Sequence, residues 1–228
     1  TEQEEAHTIS TGETENTVQN VKFMDTHPGY VHDQNGIADH TRDHAIVEDA
    51  TLQEFFSRPI KIATYDWDVS AIGGTLFHKL RPWHLYFSNK RVINRLNNYR
   101  MLRSKLHVKV TISGNAFHYG RALVDYNPLP DNDGYTVTRT YLEADYVGAT
   151  QRPHIFLDPS TSQGGELILP FFYYENMLDI VDFDFNKMGE LTLSSLTGLK
   201  HANGATDQVT ISVYAWAEDV KFGVPTTY

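Results

Sequence analysis

The sequence predicts an all-β protein, an antiparallel sandwich of two sheets that follows an acidic N-terminal arm. From residue 60 onward, short segments with apolar residues at alternate positions recur, and Gly, Pro, Asn and Asp clusters separate them. Nothing repeats at a period of about 20 to 50 residues, which argues against propellers and solenoids. The first fifty residues show neither the helical nor the strand period. A single sandwich domain with an arm is therefore the predicted organisation.

Residues 1–50 are predicted to form the arm and residues 51–228 the folded domain. Up to residue 58 the chain carries three basic and twelve acidic side chains, a formal charge of −9. Four apolar side chains form a short patch inside the arm: Val18, Val21, Phe23 and Met24. We expect this patch to contact a partner protein, and the arm to become ordered on that contact. The chain starts at Thr1 without Met, which favours excision from a longer precursor.

Two helical segments are predicted before and among the strands. Thr51 and Glu54 have the spacing of a capping box, so a single helical turn is expected there, before Pro59. Ser88 or Asn89 can cap a second, amphipathic helix near residues 89–99. Its apolar face is made of Val92, Ile93, Leu96 and Tyr99.

The clearest strand is residues 105–112, in which every second residue is apolar. Leu106, Val108, Val110 and Ile112 are predicted to face the core, and Lys105, His107, Lys109 and Thr111 to point away. Residues 210–217 form a second strand with Tyr214 and Trp216 opposite its small and branched residues, which predicts burial on both faces. Five further strands are predicted at residues 60–69, 121–126, 153–158, 166–172 and 189–196. The pattern does not locate an eighth.

Composition and charge limit the chemistry available to the chain. It has no Cys, which excludes disulfides, thiolate zinc sites and a cysteine nucleophile and fits a reducing compartment. No stretch approaches 18 consecutive apolar residues, so no membrane-spanning segment is predicted. Ten basic residues and no acidic one lie between Asp68 and Asp125. This basic middle complements the arm in sign.

The sequence predicts no catalytic, metal-binding or cofactor-binding residues. It contains neither a Gly-x-Ser-x-Gly elbow nor a Gly-rich phosphate loop, and the His-x-His of a metal-dependent β-barrel enzyme is missing. His40 and His44 have the spacing of a helical metal site, but Arg42 between them opposes a bound cation. The arm histidines are better interpreted as polar groups that titrate near neutral pH.

Two segments resemble the capsid proteins of picorna-like viruses. The run Phe117-His118-Tyr119-Gly120 is similar to the Phe-His-x-Gly segment of that family. Downstream, Pro153-His154 and a strand that ends at Pro170-Phe171 follow in the family's order. The likeness covers about residues 55 to 222 and is closest to the first large subunit of the precursor in dicistroviruses and marine algal relatives. The Asp-Asp-Phe motif linked to maturation cleavage in that family is missing, so autocatalytic cleavage is not predicted.

The resemblance implies an eight-stranded antiparallel jelly roll and a structural role. In that fold Gly120 would allow a tight turn into the next strand, and Pro170 would end a strand pairing. The subunit would assemble with homologous subunits, in the host cytoplasm, into an icosahedral pseudo T=3 virion shell around a positive-strand RNA genome. The basic middle would contact either that RNA, non-specifically, or the acidic arm. Nothing in the sequence identifies a host receptor.

Two other classes of function remain open at this stage. A carbohydrate-binding module would use surface aromatics to stack on sugar rings, and Trp83, Tyr173 and Tyr174 are the candidates. A β-sandwich hydrolase would need two carboxylates with perturbed pKa values, for which Asp182 and Asp184 are the only tempting pair. The long acidic arm has no evident use in either class.

Overall fold

The computed structural model describes residues 51–70, 73–132 and 146–226. The chain divides into two units, Thr1–Ile46 and Val47–Tyr228, and all described residues belong to the second. The predicted arm contacts Val18, Val21, Phe23 and Met24 lie outside the described residues. No helix among the described residues is long and apolar enough to cross a membrane.

Four short α-helices and nine strands are present in the described ranges. The helices are α1 Leu52–Phe56, α2 Pro82–Phe87, α3 Lys90–Leu96 and α4 Tyr146–Gln151. The strands are β1 Ile60–Trp67, β2 Thr75–Leu80, β3 Tyr99–Ser113, β4 His118–Pro128, β5 His154–Leu157, β6 Gly165–Leu169, β7 Leu178–Asp179, β8 Gly189–His201 and β9 Val209–Pro225.

The strands form two antiparallel sheets. One has the order β1-β9-β3-β6, with the two-residue β7 also paired to β3, and the other has the order β2-β8-β4-β5. Apart from β7, consecutive strands lie in opposite sheets except for β4 and β5, which pair with each other; this is the arrangement of a jelly roll and confirms the predicted fold class. Strand β2 is the eighth strand that the sequence did not reveal. It is six residues long, its apolar residues do not alternate, and its pairing with β8 slips near Leu76.

The core lies between the sheets, and the pairing of β3 with β9 sets it. Leu106, Val108, Val110 and Ile112 are all buried there, so the predicted register is confirmed. Their partners on β9 are Ala217, Ala215, Val213 and Ile211, which are also buried. On the opposite face of β9, Tyr214 and Trp216 are only half-buried. Among the described residues this second face is therefore only partly covered, which is less than the burial expected on both faces.

Two helix caps form as the sequence indicates. The Thr51 side chain accepts a hydrogen bond from the Glu54 N–H at 3.2 Å, and α1 follows. Asn89 accepts one from the Arg91 N–H at 3.0 Å at the start of α3. Helix α2 was not predicted. It begins with Pro82 at its first position and buries side chains on several sides, so it lacks the amphipathic pattern that marks a surface helix.

Gly120 does not make the tight turn that the resemblance implies. It lies inside β4, where the pairing with β8 shifts on both sides of Arg121. Its φ is +154°, and a Cβ there would lie 3.2 Å from the ring of Trp67 and from the Gly198 carbonyl oxygen. Glycine is required because the strand bulges where two other segments approach closely.

Candidate interaction surfaces

The segment 117–120 that carries the resemblance has two exposed aromatic rings, at Phe117 and Tyr119, and one buried ring, at His118. Phe117 is 53% exposed, whereas His118 is 3% exposed. The Nε2 of His118 lies 3.2 Å from the Asp207 carbonyl oxygen, and its ring meets His201 edge to face. No described residue makes a hydrogen bond to its Nδ1. These contacts hold β4 against the segment before β9, so the role of His118 is structural.

The downstream segment contributes to both sheets. The Nδ1 of His154 lies 2.8 Å from the Arg152 carbonyl oxygen, and the Pro153 carbonyl accepts a hydrogen bond from the Tyr126 N–H at 2.9 Å. Pro170 immediately follows the last residue of β6, in the other sheet. The structure therefore distributes the motif residues over two sheets and does not bring them together into one site.

A buried ion pair joins β4 to the residues that precede β5. Arg152 donates from Nε and Nη2 to Oδ2 of Asp125, at 2.9 and 2.6 Å. Asp125 is fully buried, and its Oδ1 has no hydrogen-bond partner among the described residues. Burial raises the pKa of Asp125, and the nearby Arg152 opposes that shift only in part. No sequence pattern predicts this pair, because its members belong to separate segments.

The basic middle is not one continuous cationic surface. Four of its ten cations are paired with carboxylates from other segments: Arg100 with Asp179, Lys105 with Asp219, Lys79 with Glu190 and Arg81 with Asp131. By contrast, Lys90, Arg91 and Arg95 on α3 are exposed and form no ion pair with another described residue. Two of them occupy the first turn, where cations oppose the helix dipole. Helix α3 therefore presents the largest unneutralised group of cations in the basic middle.

On the outer face of the first sheet, a histidine on β3 lies between two glutamates, one on each of the neighbouring strands β6 and β9. The ring nitrogens of His107 lie 3.1 Å from Oε1 of Glu166 on β6 and 3.1 Å from Oε2 of Glu218 on β9. The ring also stacks on Trp216, at 5.2 Å between centroids. His107 is buried for this reason, although it points away from the core as predicted.

The loop 178–187 is held by a chain of carboxylates. The Arg100 Nε donates to Oδ2 of Asp179 at 2.8 Å, and Oδ1 of Asp179 accepts from the Val181 N–H at 2.8 Å. The Asp179 N–H and the Lys187 Nζ donate to the two carboxylate oxygens of Asp184, at 3.0 and 2.8 Å. Burial alone would raise the pKa values of both carboxyls, but these hydrogen bonds outweigh it and lower them.

This loop presents two apolar side chains beside a recess. Val181 is 62% exposed and Phe183 is 49% exposed, and Phe183 has a left-handed backbone with φ of 55°. The recess has a volume of about 760 Å³. Its lining residues are Ile93, Asn97, Tyr99, Arg100, Ile180, Val181, Phe183 and Thr226. Exposed apolar groups around a concave site are typical of a surface that contacts another protein.

Of the residues considered for sugar binding and hydrolysis, Trp83 and Asp184 are unsuited to those roles. Trp83 is fully buried and donates from Nε1 to the Tyr126 hydroxyl at 3.0 Å, so its ring cannot stack on a sugar. Asp184 is tied to Lys187, and its lowered pKa is the opposite of what a general acid needs. No group of three or more His, Asp and Glu side chains suited to a metal occurs within residues 51–70, 73–132 and 146–226.

Comparison with known proteins gives matches in structure and in sequence. A chain in the structure of a marine algae virus of the order Picornavirales is 46% identical, with a TM-score of 0.73 over 83% of this chain and 81% of that one. A chain of black queen cell virus is 20% identical, with a TM-score of 0.73 over 96% and 91% of the two chains, and supports the fold.

A curated sequence also matches, the structural polyprotein of acute bee paralysis virus, with 27% identity over 134 residues. That match covers 58% of this chain but only 14% of the polyprotein. No protein-family model matches the chain.

Proposed function

This chain belongs to the capsid proteins of the picorna-like viruses, and we propose that it assembles with two homologous subunits into an icosahedral, pseudo T=3 shell around a positive-strand RNA genome. Its role in the virion is structural. The observation that carries the proposal is the 46% identity to a chain of a solved virus, over most of both chains and with the same fold. The lack of cysteine fits assembly in the reducing cytoplasm of a host cell.

Coexpression with the other subunits of the same precursor tests this function. Negative-stain microscopy and sedimentation should show closed shells that contain the chain. Made alone, the chain should aggregate, because strands at both edges of each sheet lack a described neighbour. A well-folded monomer that stays soluble at high concentration and binds sugars would instead support a carbohydrate-binding module.

We propose that residues 1–50 lie against another subunit in the shell. The apolar side chains Val18, Val21, Phe23 and Met24 would supply the contact, and the charge of −9 up to residue 58 would select a basic surface. Fully extended, fifty residues span roughly 165 Å, at about 3.3 Å per residue, which exceeds the width of a domain.

Deletion of residues 1–50 tests the arm. The sandwich should still fold, as measured by circular dichroism, and subunit association should weaken. Raised salt should weaken the intact assembly where exposed charges contribute. A truncated chain that assembles as readily as the full chain would contradict the proposal.

Contact with genomic RNA is proposed to be non-specific and centred on α3. Arg91 and Arg95 are four residues apart and so share one side of that helix. With only two such cations, the salt dependence should be shallow, since each phosphate contact contributes about one unit to the slope. Replacing both arginines with Ala should reduce the RNA content of shells without changing their assembly. Unchanged RNA content would place the contact elsewhere.

A further inference from the structure

We propose that the loop 178–187 and the recess beside it form a self-complementary contact between two copies of this chain. Val181 and Phe183 of each copy would fill the recess beside α3 of the other. The inference rests on the proposed capsid function, which brings copies of the chain together.

The loop is rigid enough to insert without a large entropic cost. Asp179 is bonded to Arg100 on β3 and caps the Val181 N–H, and Asp184 is bonded to the Asp179 N–H and to Lys187. Such bonds fix the backbone on both sides of Val181 and Phe183 before any partner arrives. A preorganised loop loses little conformational freedom on binding, so more of its contact energy contributes to association.

The backbone conformation of Phe183 is costly. It begins the 3-10 turn Asp184–Asn186, where the Phe183 ring packs edge to face on Phe185 at 5.4 Å between centroids. A bulky residue with φ of 55° is rare, and such residues cluster where function holds the backbone in place. Nearly half of the ring surface is nevertheless left to solvent. The left-handed backbone of Phe183 therefore holds a half-exposed apolar ring at the surface, beside the recess.

The recess and the loop that would fill it lie on one face of the molecule. Val181 and Phe183 border the recess themselves, together with Ile93, Tyr99 and Ile180. A projection and a complementary cavity on the same face are the condition for an isologous contact, in which a twofold axis places each projection in the other copy's cavity. The volume of about 760 Å³ is ample for one Val and one Phe side chain.

The charges agree with this arrangement. Asp182 is exposed at the tip of the loop, between the two apolar side chains. Lys90 lies three residues before Ile93, on the side of α3 that faces the recess, and forms no ion pair with another described residue. In the twofold pair the tip carboxylate of one copy would approach the Lys90 ammonium of the other. Opposite charges at the rim of an apolar contact favour the correct register.

Cross-linking tests the contact directly, because the natural chain has no cysteine. Two full-length variants, Val181→Cys and Ile93→Cys, are made separately, mixed, assembled with the partner subunits and oxidised. A cross-link between them can only join two copies, and a disulfide-linked band of twice the chain mass is expected. The control replaces the first variant with Ile168→Cys, whose position is equally exposed but lies on the outer face of β6.

Absence of the Val181–Ile93 cross-link, or equal yield with the control, would overturn the contact. If shells form without that cross-link, only this inference fails and the proposed function stands. If the unsubstituted chain forms no shells with its partners, the proposed function fails, and the cross-link in smaller oligomers still decides the contact.

Association measurements on the same face give a second, independent readout. Phe183→Ser should raise the subunit concentration needed for half-maximal association about 30-fold, as expected for loss of a central aromatic anchor. Phe172→Ser, at another exposed ring, is the matched control and should change it less than about 3-fold. Asp182→Lys and Lys90→Asp should each weaken association, and the two together should restore it. Equal effects of both Phe variants, with no restoration by the charge exchange, would contradict the contact.

Discussion

Replacement of Arg152 with Met should destabilise the sandwich by about 4 kcal/mol at pH 7. The Asp125 carboxyl is fully buried and loses its ion-pair partner, while Met keeps most of the apolar stem. The loss has an upper limit, because the carboxyl can take up a proton instead of remaining charged. For a carboxyl with an ordinary pKa near 3.9, protonation at pH 7 costs about 1.4 kcal/mol for each of roughly three pH units.

Because protonation of Asp125 limits the loss of stability in Arg152→Met, that loss depends on pH. In the Arg152→Met chain the folded pKa of Asp125 is raised far above its unfolded value. Its neutral form therefore stabilises the fold fully below pH 4, and this contribution is lost as pH rises toward the folded pKa. Burial also raises the pKa of Asp125 in the natural chain, so the difference in stability between the two chains should fall by at most about 1.4 kcal/mol per unit between pH 7 and pH 5. Chemical denaturation at both pH values measures it.

A double-mutant cycle identifies the cause. Asp125→Asn should cost less than Arg152→Met, since the Arg152 side chain is 30% exposed and can be hydrated when it loses its partner. The double variant should be more stable than Arg152→Met alone, because no unpaired carboxylate is left. A cost below about 1 kcal/mol for Arg152→Met, or a double variant that is the least stable of the three, would show that the unpaired carboxylate is not the cause.

Three further substitutions or conditions test the fold. Val110→Asp should prevent folding in circular dichroism, because an unpaired buried carboxylate costs several kcal/mol, whereas Lys109→Asp on the exposed side should fold. Gly120→Ala should lower stability by about 2 kcal/mol in thermal denaturation, since a Cβ meets two neighbours at 3.2 Å, and Gly204→Ala, with open space around it, should cost about 1 kcal/mol or less. Because the pKa of Asp184 is lowered in the fold, its contribution to stability is present above about pH 4 and is lost as pH falls through the folded pKa. As the pH falls through that pKa, amide hydrogen exchange in the loop 178–187 should accelerate before amide exchange in the core does. Equal acceleration in the loop and the core would contradict this order.

The sequence was informative wherever local periodicity and burial coincide. The alternation in residues 105–112 predicted which side chains of β3 face the core, because successive side chains of a strand must point to opposite faces. The caps at Thr51 and Asn89 were also predictable, since each hydrogen bond spans only two or three residues. Phe117-His118-Tyr119-Gly120 indicated the family, but its contacts could not be read from the sequence.

Other features depended on which segments meet in space. The sequence showed an excess of cations from residue 79 to residue 121, but not that Arg100 pairs with a carboxylate 79 positions away and that Lys105 pairs with Asp219. A single sequence contains no signal for such partners, because any of several acidic residues could supply them. Strand β2 was missed for a related reason: pairing with β8, and not its own pattern, makes it a strand.

Local residue patterns were sufficient for the all-β class, the core face of the principal strands and the likeness to viral capsid proteins, because each follows from residue types at short spacing. The position of Gly120 in a bulge, the burial of Asp125 against Arg152, and the recess beside Val181 and Phe183 became visible only in the folded chain. The physical reason is the range of the interactions. Alternation and capping act between near neighbours in the chain, whereas a close backbone approach, a buried ion pair and a recess exist only after distant segments have packed together.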